Sequence, residues 1–314
     1  MSIFDAIIQG IVQGLTEFLP VSSSGHLAIT QHILGTNGEG NLFFNVMLHL
    51  GTLIAVIAFY HKLVWSLIKE FISLVKDIFT GKFKWSKMNY ERNLIMMLII
   101  GLLPLFFLFL PIPGTEMKLK DLAEVFSGSS VLLVTAFSLL ATSILLTLGI
   151  VFNKKTVKRY EAKGKKIAGR KNFNVVDAVC VGFAQLVAAL FPGLSRSGST
   201  LAIGEMRGIN KQKALDYTFV LSMPSILAAA LLEGVDAIKS SEGITIEPLA
   251  IIFGMISAAV VGYLSIVIFK WFLKTDKMKI FVVYTAVVGL IFLVISVIEM
   301  CTGANLFTGA ALTM

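Results

Sequence analysis

The chain has 314 residues, of which 56% are hydrophobic and only 15% charged, with a mean hydropathy of +0.84. That composition excludes an ordinary soluble core and indicates a polytopic membrane protein, read as one membrane domain over 1–314. The net charge of +8 raises nucleic acid as a partner class, which the placement of the basic residues argues against, and Cys180 and Cys301 show neither a CxxC motif nor metal spacing.

Residues 3–19 have a helical pattern but are short and polar for a span. Asp5, Gln9, Gln13 and Glu17 recur every fourth residue and form a drifting stripe on one face. The same polar interruptions argue against a cleaved signal peptide. Pro20 ends this helix, Ser22-Ser23-Ser24-Gly25-His26 follows, and a second short helix runs over about 23–35. A hydrophobic helix, a polar turn and a short return helix predict a re-entrant hairpin over 3–35. Six spans are then expected, at about 42–60, 94–113, 128–152, 214–234, 248–270 and 280–301, each of ~20 apolar residues. Within the 61–93 connection, Trp65, Leu67, Ile68, Phe71, Ile72, Val75 and Phe79 predict an amphipathic interfacial helix. A second hairpin, 174–207, lies between the third and fourth spans. Its turn, Leu190 to Thr200, places Ser195, Arg196, Ser197, Ser199 and Thr200 in an apolar setting, where a charged side chain is costly and usually functional.

The basic residues set an expected orientation. Of 27 lysines and arginines, 23 fall in the connections 61–93 and 153–173, after the second hairpin, and between the last two spans. The positive-inside rule makes these connections cytoplasmic, including the basic 153–173 segment, and places both termini and the first hairpin outside. The charge therefore reports topology and contact with membrane lipids, and nucleic acid is not expected.

The two hairpins match at an offset of 172: Asp5 with Asp177, Ala6 with Ala178, Gly10 with Gly182, Gln13 with Gln185, Pro20 with Pro192. After one inserted residue, Ser22 matches Ser195, Ser24 matches Ser197 and Gly25 matches Gly198. Each hairpin precedes three spans of opposite starting side. The expected architecture is thus all-α with an inverted-topology repeat, 1–152 and 174–301, whose broken helices meet near the midplane.

The two halves differ in chemistry. The first supplies Glu17, Ser22, Ser23, Ser24 and His26; the second has Ala189 where the first has Glu17, and supplies Arg196 and hydroxyls. Phosphoryl transfer needs charge neutralised on the non-bridging oxygens, an aligned nucleophile and a route for protons. Arg196 can bind two phosphate oxygens. Ser195, Ser197, Thr200, Ser22, Ser24 and the amides of the return helix can donate to others. Glu17 can hold a divalent cation with help from Gln13, or act as a base. Ser23, another hydroxyl of that turn, or His26 can be the nucleophile, and His26 can be an acid. Each also has a plainer reading: Glu17 as a structural partner of Arg196, His26 bonded to a backbone carbonyl, the serines as caps. His49 and Asn45 are read as interhelical hydrogen-bonders, and Asp216 as solvated near a helix end.

Two motifs then stand together: Q13-G-L-T-E17-F-L-P20-V-S-S-S-G-H26 and P192-G-L-S195-R196-S197-G-S-T200. In this order the chain resembles, over nearly its whole length, the undecaprenyl-diphosphatase family, also called bacitracin-resistance proteins. The resemblance implies a plasma-membrane enzyme, open to the outer face, that hydrolyses undecaprenyl diphosphate to undecaprenyl phosphate and inorganic phosphate. It further implies a divalent cation, Mg²⁺ or Ca²⁺, recycling of the lipid carrier for cell-wall precursors, and bacitracin resistance. Gln13 stands where some members have a second carboxylate, which should place more weight on Glu17. The alternative kept open is a transporter or flippase of prenyl phosphate lipids, which the inverted repeat would suit. Homo-oligomerisation is left open.

Overall fold

The computed structural model describes residues 1–35, 41–84, 88–115, 117–128, 132–165, 168–239 and 246–312. Lys87 and Lys166 of the basic connections, and the first turn expected of the 128–152 span, lie outside the described residues. Among the described residues the chain is helical, with isolated β-bridges and no strand. The first hairpin is α1 (Ile3–Phe18) and α2 (Ser23–Leu34); α3 (Asn41–Phe59) and α4 (His61–Phe79) follow. Next come α5 (Tyr90–Leu102), α6 (Leu119–Gly128) and α7 (Leu133–Glu161). The second hairpin is α8 (Val175–Leu190) and α9 (Arg196–Met206), and α10 (Lys211–Lys239), α11 (Pro248–Lys274) and α12 (Lys279–Thr302) complete the chain.

Among the described residues, five helical segments are long and apolar enough to cross a membrane: Tyr90–Phe109, Leu133–Glu161, Lys211–Leu232, Pro248–Lys274 and Lys279–Thr302. The expected first span is instead one arm of a bent pair. Phe43–Phe59 and His61–Phe79 meet at 88°, with Tyr60 between them. The expected span at 94–113 changes character halfway. Past Leu102 it tightens into a 3₁₀ segment, Leu103–Phe109, beginning where Pro104 removes a backbone donor. Helix α6 was not expected.

Local chemistry explains why the hairpins form. Ser2 caps α1 through Asp5 N, and the Asp5 carboxylate returns to Ser2 N; Asn174 and Asp177 make the same reciprocal box on α8. Leu19 and Phe191, ahead of Pro20 and Pro192, are extended, so each helix stops where proline disfavours the helical conformation before it. Ser22 and Ser195 then cap α2 and α9 by accepting from Gly25 N and Gly198 N.

Packing interleaves the two halves of the sequence. Helix α1 lies against α11 and α8 against α5, while α3 packs on α10 and α7 on α12. Both hairpin contacts depend on bare backbone. A Cβ on Gly10 would collide with the carbonyl oxygen of Gly254, and one on Gly182 with that of Gly101. The largest buried cluster joins Phe18 of α1 to Phe219 and Leu221 of α10, Phe269 of α11 and Phe281 of α12. The Phe18 and Phe219 rings meet edge to face, with centroids 5.3 Å apart. The outer faces are apolar: Ile256, Val260 and Leu264 of α11, and Val283, Leu290 and Val294 of α12, are each more than half exposed. Apolar surface of this extent suits contact with lipid.

Gly10→Leu and Gly182→Leu should each force α1 from α11 or α8 from α5. Overpacking of this kind costs about 1–3 kcal/mol or more. Thermal unfolding in detergent would register both as destabilised, and a wild-type midpoint for either would show that its helix contact is not tight.

Candidate active site

Glu17 lies in the last turn of α1 and Arg196 in the first turn of α9, so the abrupt ends of the two hairpins bring them together. The Arg196 guanidinium donates through Nη2 to Glu17 Oε1. The Glu17 side chain is 3% exposed and that of Arg196 26%. Glu17 Oε2 gathers the remaining donors: Ser23 Oγ at 2.6 Å and Gln13 Nε2 at 2.9 Å, with His49 Nε2 at 3.4 Å. Because the Gln13 amide turns its nitrogen to the carboxylate, its Oε1 points elsewhere and is buried without a partner.

Around this pair is a cavity of about 190 Å³ lined by Glu17, Ser22, Ser23, Ser24, His49, Ser195, Arg196 and Ser197, with Ala188, Ala189, Pro192 and Leu194 on its apolar side. One water needs only ~10–15 Å³ on this measure, so the space suits a polar group of several heavy atoms. The hydroxyls are held from below. Ser195 N donates to Thr142 Oγ1 at 3.0 Å, and Ser197 Oγ donates to Leu19 O at 3.1 Å, a bond from one hairpin to the other. Gly193 N donates to Ser24 Oγ at 3.4 Å, linking the turns a second time. The turns nearly touch: a Cβ on Gly25 would come within 2.9 Å of Gly193 Cα. Ser22 holds φ at 75°, a conformation that L-residues seldom adopt. That strained residue immediately precedes Ser23 and aims the turn into the cavity, the placement in which local strain tends to be functional.

Of the residues singled out in the sequence, the structure places Glu17, Ser22, Ser23, Ser24, Ser195, Arg196 and Ser197 around this cavity, with Gln13 bonded to Glu17 behind it. Two residues fall elsewhere. Thr200 donates to Arg196 O at 2.8 Å and Ser197 O at 3.3 Å, so its hydroxyl serves the backbone of its own helix and does not line the cavity. His26 also stays outside it. Its Nδ1 bonds Ser22 O at 2.8 Å, its Nε2 meets Tyr284 Oη at 2.8 Å, and the two rings stack. With both nitrogens engaged, His26 ties the Ser22 turn to α12.

His49, read as an interhelical bonder, does face another helix, and it also lines the cavity. Its Nδ1 bonds Asn45 O of its own helix at 2.7 Å, and its Nε2 faces Glu17. Asn45 does bond between helices, accepting from Gln31 Nε2 at 2.8 Å. Asp216 is likewise paired and not merely solvated: it accepts from Tyr60 Oη at 2.8 Å and lies 3.2 Å from Lys270 Nζ. One signal for His49 is its place, with Asn45 one turn before it, as a polar residue inside a long apolar run.

As for metal ligation, no group of three or more His, Cys, Asp and Glu side chains could hold an ion among the described residues. The donor chemistry for a hard divalent cation is present in the Glu17 carboxylate and the unpartnered Gln13 Oε1, although the Gln13 amide here turns its nitrogen to Glu17.

Comparison with known proteins gives consistent results. The family model for bacitracin resistance protein BacA matches residues 6–291. A protein of Alkaliphilus metalliredigens named undecaprenyl-diphosphatase is 38% identical over 305 residues, covering 95% of this chain and all of its own. One of the same name from Bacteroides fragilis is 38% identical over 304 residues with the same coverage. Another from Methanobrevibacter smithii is 37% identical over 297 residues, covering 93% of this chain and 96% of its own.

The Glu17–Arg196 pair should be energetically coupled. Thermal unfolding of Glu17→Gln, Arg196→Ala and the double variant should give a coupling of about 1–3 kcal/mol, because either group alone is left unpaired in an apolar surround. Additivity within about 0.5 kcal/mol would mean that the pair does not hold the hairpins together.

Proposed function

The chain belongs to the bacitracin resistance protein BacA family, and from that premise we propose that it hydrolyses undecaprenyl diphosphate to undecaprenyl phosphate and inorganic phosphate. The observation that carries this reading is the cavity itself: a hydroxyl on a buried carboxylate from one hairpin faces a guanidinium and a capped, hydroxyl-rich helix start from the other. The diphosphate enters this cavity while the prenyl chain stays among the apolar outer faces of the helices. Removing the diphosphate also removes what bacitracin sequesters, which accords with the family's name, and it returns the carrier for another round of cell-wall precursor synthesis.

In the mechanism we favour, Arg196 binds non-bridging oxygens of the terminal phosphate, and Ser22, Ser24 and Ser195 donate around them, joined by Ser197 when its hydroxyl turns from Leu19 O to the phosphate. The Arg196 and Ser197 amides, which precede the capped Gly198 amide, have no acceptor within α9 and are available to the same charge. Ser23 Oγ is the nucleophile and Glu17 the base that takes its proton across the 2.6 Å contact. The new bond is Ser23 Oγ to phosphorus; the bond that breaks joins that phosphorus to the bridging oxygen, which leaves with undecaprenyl phosphate. Water then attacks the phosphoserine and releases inorganic phosphate. Gln13 and Glu17 would hold the Mg²⁺ or Ca²⁺ ion, which when bound neutralises charge on the diphosphate. His26 positions the turn, and Thr200 supports the first turn of α9.

The same proposal covers the membrane frame. The matched caps, matched prolines, the two glycine contacts and the pairings α1 with α11 and α8 with α5 support an inverted repeat of 1–152 and 174–301, joined by the basic connection 153–173. In that frame the two hairpins are re-entrant, and α4 lies along the interface at right angles to α3. The basic connections face the cytoplasm, and both termini and the mouth of the site face outward. Such a frame also suits movement of a prenyl phosphate across the bilayer, the second reading, since hairpins meeting at mid-depth commonly bound a transport pathway.

Phosphate release from undecaprenyl diphosphate by the purified protein is the test. Ser23→Ala, Glu17→Gln and Arg196→Ala should each lower kcat by about 10²-fold or more, and a chelator should suppress release until Mg²⁺ or Ca²⁺ is restored. Full activity in chelator would remove the cation from the proposal. A folded wild-type protein that releases no phosphate, yet moves undecaprenyl phosphate between liposome leaflets, would replace the first reading with the second.

A further inference from the structure

We infer that a pocket at the starts of α5 and α10 binds the phosphate group of an anionic phospholipid, holding it between Lys171 and Lys213. The inference goes beyond the diphosphatase reading and does not use its site.

The pocket has a volume of about 90 Å³. A water needs ~10–15 Å³ on the same measure, so the space admits a group the size of a phosphate. Tyr90 and Asn93 come from the start of α5, Lys213 and Asp216 from that of α10, and Lys171 and Asn172 from the segment ahead of α8. Apolar side chains, Leu63 of α4 among them, make the rest of the wall. This pocket shares no lining residue with the cavity at Glu17. Ser225 of α10, whose hydroxyl meets Arg196, lies ~18 Å further along the helix axis than Lys213.

The donors in the pocket are unclaimed. Among the described residues neither Lys171 nor Lys213 has a carboxylate partner, and the side-chain amides of Asn93 and Asn172 make no hydrogen bond. Lys213 Nζ donates to Tyr90 Oη at 3.4 Å and lies 5.0 Å from the centre of that ring. The ring thus holds the ammonium in place, and the phenol keeps its own hydrogen for an oxygen in the pocket. The carboxylate on the wall, Asp216, is already compensated. It accepts from Tyr60 Oη at 2.8 Å and Gln212 Nε2 at 3.2 Å, and Lys270 Nζ is 3.2 Å away. Lys171 and Lys213 therefore leave the pocket positive. Arg92 of α5 pairs with Glu70 at 2.5 Å and Asp77 at 2.7 Å, which fixes α4 beside the pocket and adds no net positive charge. Two ammonium groups with amide and phenol donors suit an oxyanion that has several acceptor oxygens.

The place of the pocket selects a lipid phosphate over a free one. Tyr90–Phe109 and Lys211–Leu232 are both long and apolar enough to cross a membrane, and the pocket lies at the first residues of each. That is the depth at which an apolar helix gives way to polar chain and at which phospholipid headgroups sit. Helix α4 turns 88° from α3 and leaves Trp65, Ile72 and Phe79 exposed. Side chains of that kind enter the acyl boundary when a helix lies along the interface. Further along α5, Ile99 and Leu103 are exposed and offer the acyl chains an apolar surface. A zwitterionic headgroup brings its own ammonium, which the two lysines repel, so the pocket favours a lipid with net negative charge.

The experiment titrates the purified full chain in uncharged detergent with phosphatidylglycerol or phosphatidylcholine and reads lipid-bound protein by native mass spectrometry. The wild type should hold phosphatidylglycerol about tenfold more tightly than phosphatidylcholine, and Lys171→Gln/Lys213→Gln should lose about tenfold or more of that affinity. Lys171→Arg/Lys213→Arg should keep it, which separates lost charge from lost fold. Lys155→Gln/Lys163→Gln removes as many exposed charges elsewhere and should bind as the wild type does. Equal retention of the two lipids would overturn the proposal. So would wild-type affinity in Lys171→Gln/Lys213→Gln, or an equal loss in Lys155→Gln/Lys163→Gln. Displacement of phosphatidylglycerol by equimolar inorganic phosphate would overturn the lipid and make the pocket a site for free phosphate.

Discussion

A carboxylate at residue 17 and a guanidinium at residue 196 are each expensive within an apolar helical surround, and each becomes tolerable in the presence of the other. The turns of the two hairpins are arranged to let them meet. Two helices end abruptly at Pro20 and Pro192, two serines cap the helices that restart, and the two turns approach until glycine is the only residue that fits. The donors that the ion pair leaves over are used as well. Ser23, Gln13 and His49 converge on the second carboxylate oxygen, so Glu17 is surrounded by groups that complement its charge. A site organised in this way is rigid before any substrate arrives, which is what electrostatic stabilisation of a phosphoryl group requires.

Much of this was legible in the sequence because it depends on local rules. The ends of α1, α2, α8 and α9 follow from proline, serine caps and reciprocal boxes, which act within four residues. The meeting of Glu17 with Arg196 was legible for a different reason, namely that unpaired charge in an apolar stretch demands a partner. What escaped were directions. Thr200 belongs to the motif by spacing, but a helical threonine hydroxyl readily reaches the carbonyl one turn back, and it does so here. His26 follows the serines in the chain, yet its ring is carried round the helix toward α12. His49 sits 32 positions beyond Glu17 on a helix whose facing could not be set without knowing that α3 packs beside α1. The bend at Tyr60 was implicit in a span over 42–60 followed by an amphipathic interfacial helix, but its angle and exact position leave no mark on hydropathy.

The interleaving of the halves has a consequence for how the molecule is made. Helix α1 is made well before the helix against which it packs: α11 begins more than 200 positions later, and Arg196 lies 179 residues beyond Glu17. Through most of synthesis the first hairpin of the proposed frame therefore waits with Glu17 lacking its guanidinium partner and a glycine groove facing nothing. Contacts this distant along the chain are slow to form and leave polar surface open to wrong partners in the meantime. A nascent chain of this design depends on company during that interval, from the insertion machinery or from water admitted around Glu17, and the last helices to arrive are the ones that close the first.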